Sequence, residues 1–207
     1  MVIIKNHPIY HGTHMKLSKP SLFVCILIMS GLTYGSGTMN EDEINNVNRV
    51  DVSDEDARQR LSITAGLLAD YEIAAKKLIL NLDNGSTKAM DISKQAKALL
   101  DLSENVINSA QYRLPQCDEY LAKTLMLKGS LETISHASLE KDYHHDGALP
   151  KAPGECYHTK DLFVHPATVI VLTRDDPTLN KKTKASINVE ISEVLAHTEI
   201  VRQLVIY

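Results

Sequence analysis

The chain has 207 residues, 43% hydrophobic and 23% charged, with 5% aromatics, no Trp and a net charge of −4. That apolar fraction with so little net charge excludes a disordered chain, and 22 Lys+Arg against 26 Asp+Glu leave no basic excess for binding nucleic acid. Nine Gly and seven Pro exclude collagen-like and proline-rich classes.

Residues 1–37 carry Lys5, Lys16 and Lys19 and no acidic residue. An 11-residue apolar run, Leu22 to Leu32, follows these lysines and leads into small residues. This order predicts a secretory signal peptide, cleaved after Gly35 or Gly37, with translation starting at Met1 or Met15. The run is short of the roughly 20 residues that span a bilayer; the alternative is a short, uncleaved anchor. Cys25 lies mid-run behind Phe23 and Val24, which argues against lipid attachment. The expected location is periplasmic or secreted. Removing the three lysines leaves 19 basic against 26 acidic residues, a balance of −7, with no attraction to anionic lipid and no stable membrane span.

Residues 38–52 are polar and aperiodic and read as a flexible leader; residues 53–207 read as one domain. Ser53 followed by Asp54, Glu55 and Asp56 signals a helix start. Leu61, Ala65, Leu68, Ala75, Ile79 and Leu82, widened by Tyr71 and Leu78, recur helically until Asn84-Gly85, which predicts a helix over 54–83. Ile92, Ala96, Leu99, Val106 and Ala110 predict a second over 88–113, before Pro115. Cys117, Tyr120, Leu121, Thr124, Leu127, Leu131 and Ile134 predict a third over 116–140. Asp146-Gly147, Pro150 and Pro153 mark a loop over 141–153. A fourth helix is expected over 154–173, bent near Pro166, and a fifth over 181–205 carrying Ile187, Ile191, Val194, Val201 and Val205. The expected fold is all-α, an antiparallel bundle of four main helices with one kinked or accessory.

Cys117 and Cys156 are the even pair left after export, and they predict a disulfide closing a loop of about 40 residues. Two unpaired buried thiols are the alternative. The bridge would start the third and fourth helices at one end, with the 141–153 loop running back along the bundle.

The chain has no C-x-x-C-H, P-loop, G-x-G-x-x-G, H-E-x-x-H or G-x-S-x-G, and no E-x-x-H repeat. A non-enzymatic role is therefore expected, with His/Glu acid–base chemistry of unfamiliar type as a minor alternative. The unusual feature is histidine: all six beyond the signal lie from His136 onward. His158, Leu162, His165, Val169 and Leu172 share one face of the fourth helix, and Glu190, Glu193 and His197 share one face of the fifth. Pairing Leu172 with residue 187 sets His165 opposite 194 and His158 opposite 201, which predicts a metal site of His158, His165, Glu193 and His197 for Zn, Cu, Ni or Fe. His144, His145 and Asp146 form a second, loop-borne candidate. A non-covalent haem, held by His158, His165 or His197 together with Met90, Met126 or a second His, is a weaker alternative. Without any cofactor, His165 would bond backbone carbonyls freed by Pro166. The protein would then be a structural or interaction module of the cell envelope, with a second copy or an envelope protein on an apolar face.

Overall fold

The computed structural model describes residues 39–207, and no strand occurs among them. The expected signal peptide lies outside the described residues. Seven α-helices follow in order: α1 (Glu41–Asn45), α2 (Glu55–Leu82), α3 (Ala89–Arg113), α4 (Asp118–Leu125), α5 (His136–Leu139), α6 (Glu155–Asp175) and α7 (Lys181–Val201). Short 3₁₀ turns (Pro115–Cys117, Met126–Ser130) and wider π turns (Glu140–His144, Arg202–Ile206) join or extend them.

Helix α2 buries Leu61, Thr64, Leu68, Tyr71, Ala75, Leu78 and Leu82, a strict three-four alternation. Thr64 takes the place expected of Ala65, because its hydroxyl meets that of Ser109 on α3 at 2.7 Å. Asn81 donates to Gln95 across the same pair, so α2 and α3 run in opposite directions. Contacts between α6 and α7 also run oppositely, His158 with His197 and His165 with Glu190. Helix α6 packs on α2-linked α3 and on α7, and α7 returns to α2.

Every residue of α6 from His158 to Val171 is buried. Helices α2, α3 and α7 flank it, and α4, α5 and the Glu140–His144 turn cover what remains. Polar side chains on such a helix must find partners inside the protein. That requirement builds the site described below.

Pro166 does not interrupt α6. A proline lacks the N–H that would bond the carbonyl four residues back, here Leu162. Tyr71 on α2 donates its hydroxyl to that carbonyl at 2.9 Å, within the core. His165, the alternative donor expected in the absence of a cofactor, turns its ring to Glu190 on α7 instead. Tyr71→Phe should therefore cost about 1–2 kcal/mol, the loss of one buried hydrogen bond and an orphaned carbonyl. The cost should shrink in a Pro166→Ala background, where the helix supplies the missing donor; urea titration of the four variants measures both.

Two stretches differ from expectation. The third helix does not run unbroken over 116–140: it passes into a 3₁₀ turn at Met126–Ser130, where Gly129 weakens the α-helix, and restarts at Ser135, whose hydroxyl caps α5. The carbonyls of Leu131 and Ile134 are taken by the Arg174 guanidinium at 2.7 and 2.8 Å. The expected leader contains α1, closed by a capping box between Asn40 and Glu43, with Ile44 buried. It is anchored by Arg49 to the Leu204 and Ile44 carbonyls and by Val50 to Arg113.

Candidate metal-binding site

The turn between α6 and α7 sets the register of everything on them. Asp176 uses one carboxylate to receive Thr178, Asn180 and Thr183, and Leu179 takes a left-handed conformation (φ 51°). Asn180 then caps α7. This tight closure brings His165 opposite Glu190 and His158 opposite His197, one helical turn from the expected pairing.

Five imidazoles stand in file. Neighbouring ring centroids are 5.2 Å apart for His145 and His144, 5.0 Å for His144 and His165, 5.7 Å for His165 and His197, and 4.9 Å for His197 and His158. The three central rings each present Nδ1 to a carboxylate. His144 meets Glu140 at 2.9 Å, His165 meets Glu190 at 2.8 Å, and His197 meets Asp161 at 3.1 Å. With Nδ1–H engaged in this way, Nε2 keeps the free lone pair. Two groups of three bring ligand atoms within 4.8 Å of one another: Asp161, His165 and His197, and His144, His165 and Glu193.

Of the residues expected to form the main site, His165 and His197 come together, His158 touches His197, and Glu193 stands on the far side of His165 with His144. The loop candidate divides. His144 joins the main cluster, His145 stacks on it, and Asp146 is committed elsewhere, accepting from Tyr120 at 2.8 Å and Lys160 at 3.0 Å. The 141–153 segment does return along α6, its first residues as the π turn. Met90 and Met126, the thioether candidates, are exposed.

Asp161, Lys160 and Glu140 join the site in addition to the residues expected from the sequence. Asp161 was detectable, because it shares the His158/His165 face at steps of three and four. Lys160 gave no signal. Its ammonium is wholly buried and spends its three protons on the carbonyls of Tyr143 and His144 and on Asp146. Asp161 Oδ1 lies 3.1 Å from it as an ion pair without hydrogen-bond alignment, and the ring of Tyr157 lies 4.6 Å away. The loop it grips turns at Asp146 (φ 57°) and Gly147, where a Cβ would meet the Lys141 carbonyl oxygen at 2.6 Å.

Charge is partitioned unevenly along the file. Burial pushes the Asp161 carboxyl up, but the His197 hydrogen bond and the Lys160 charge outweigh it and hold Asp161 well below the usual range. Burial likewise raises Glu140, and the hydrogen bond and charge of His144 reverse the shift. That same bond raises His144 against its own burial. His158 is lowered to about 4, chiefly by burial and then by the charge of His197. The unfolded imidazole takes up a proton near 6.5 and the folded one only near 4, so the unfolded state binds more protons between them. The contribution of His158 to the stability of the metal-free protein should be complete above 6.5 and fall by on the order of 1 kcal/mol per pH unit towards 4. Thermal unfolding at successive pH values, flattened in His158→Gln, checks this.

No protein-family model matches the chain, and no curated protein or solved structure matches it. What the site does rests on its own residues. No helix among the described residues is long and apolar enough to cross a membrane.

Proposed function

We propose that this is an exported, non-enzymatic protein, an antiparallel four-helix bundle of α2, α3, α6 and α7 that binds a first-row transition metal ion between α6, α7 and the Glu140–His144 turn. The observation that carries the reading is the row of three adjacent imidazoles, each with Nδ1 held by its own carboxylate. Carboxylate partners of this kind fix the tautomer and aim of metal-binding histidines. The donors are imidazole and carboxylate, since both cysteines of the described residues are joined to each other. Such a set suits Zn(II), Cu(II), Ni(II) or Fe(II). Asp161, His165 and His197 are the core ligands, Asp161 giving up its contact with His197 Nδ1 to take the ion, with His158 and Glu193 beside them. Export is supported by the basic and apolar character of residues 1–37 and by a disulfide suited to an oxidising compartment.

A second reading is favoured by the same pairs: each ring and carboxylate also satisfies the other without a metal, as in a polar network of an interaction module. Ile73 and Leu80, exposed one face apart from the core on α2, would then lie towards a partner.

The deciding experiment is metal content with an absorption spectrum, on protein exported from the full chain and purified without an affinity tag or chelator. We expect about one equivalent of metal, and in His165→Ala, with an unchanged far-UV spectrum, an affinity at least about 100-fold weaker, or roughly 2.7 kcal/mol. A metal-free protein that takes up neither Zn(II), Cu(II), Ni(II) nor haem would move the function to the interaction module.

A further inference from the structure

The two groups of three ligands share His165, and the sharing constrains how they are used. His165 is buried and its Nδ1 is engaged by Glu190 at 2.8 Å, so one nitrogen, Nε2, is open. One lone pair holds one metal ion. The groups are thus alternatives and not halves of a two-metal centre. They also differ in depth. Glu193 is exposed and His144 half-buried, whereas Asp161 is buried and His197 half-buried.

Resting on the metal-binding reading above, we propose that a single transition metal ion is loaded at an outer position, His144, His165 and Glu193, and passes to an inner resting position, Asp161, His165 and His197, by exchanging partners about His165. The outer carboxylate can reach solvent and meet a hydrated ion. The inner one acts where water is scarce, so its attraction for a cation is stronger. The Lys160 ammonium 3.1 Å from Asp161 is itself paired with Asp146 at 3.0 Å, so this group keeps a net negative charge. Each exchange replaces one imidazole and one carboxylate by the same pair of donor types, so the ion keeps its ligand chemistry and its charge balance throughout. The competing path is the open groove between α1 and the start of α6, lined by Asp42, Glu43 and Glu155 and also by His158, itself 3.4 Å from His197.

Stopped-flow uptake of Co(II), with Zn(II) titration for affinity, tests this on the full exported chain and three variants. Wild type should saturate at one equivalent. Glu193→Gln should take up Co(II) about tenfold more slowly, with the same final spectrum and affinity within about threefold. His197→Gln should keep the fast first step and bind roughly 10–100-fold more weakly. Asp42→Asn, in the α1 groove, should load at the wild-type rate. Two equivalents in wild type would overturn the proposal, as would an affinity loss in Glu193→Gln equal to that of His197→Gln. Slow loading in Asp42→Asn with normal loading in Glu193→Gln would overturn it in favour of the α1 groove. No binding of Co(II) or Zn(II) by any form would instead overturn the metal-binding reading itself.

Discussion

Replacing Lys160 with Met should cost about 3–5 kcal/mol, because it leaves buried charge without its counter-charge. The ammonium has no solvent exposure and holds Asp146 at 3.0 Å, Asp161 at 3.1 Å and two backbone carbonyls. A methionine of similar length would fill the space but strand two carboxylates and two acceptors. The carbonyls belong to Tyr143 and His144, so the loss also frees the turn that sets His144 against His165. Urea denaturation gives the stability change, and a second substitution, Asp146→Asn, should recover part of it by removing one stranded charge. A Lys160→Met protein less than about 1 kcal/mol below wild type would show that the loop is held by other contacts, such as the Tyr120 hydroxyl on Asp146.

Removing the disulfide should be comparably costly. Cys117 and Cys156 are bonded, both buried, 39 residues apart in sequence. A closed loop of that length restricts the unfolded chain by about 4 kcal/mol in the loop-entropy model. The loop contains α4, α5 and the Glu140–His144 turn, which are the elements covering the free side of α6. Cys117→Ala with Cys156→Ala should therefore lower the urea midpoint, and amide exchange should rise first over residues 118–155. Thiol reduction of the wild type should reproduce the shift. Equal stability with and without the bond would mean that the covering segment is held by packing and by Gln116, which meets Glu155 at 3.2 Å beside the bridge.

The long helices were readable because their apolar spacing repeats over many turns: the stretches read as 54–83 and 88–113 correspond to Glu55–Leu82 and Ala89–Arg113. The cysteine pairing was readable because, of three cysteines, Cys25 falls in the expected signal peptide and the other two allow one bridge. The third helix was less so, because its breaks depend on Gly129, the Ser135 cap and a guanidinium arriving from α6. Within the site, His165 and His197 were chosen by their helical faces and do come together. Asp161 satisfies the same spacing rule and Glu190 shares the face of Glu193 and His197, but spacing gives a face and not the ring that each carboxylate serves.

The sequence by itself determined the helical class, the ends of the longest helices, the disulfide and the concentration of histidine in the C-terminal third, because each depends on local periodicity or on residue counts. The tertiary structure alone decided which carboxylate serves which imidazole. The tight Asp176–Asn180 turn sets the α6–α7 register by one helical turn, and one turn exchanges Glu190 for a neighbour opposite His165. It also decided that a lysine could lie at the centre of the protein. A buried ammonium is tolerable only where folding gathers two carboxylates and two carbonyls around it, from segments that the chain order keeps apart.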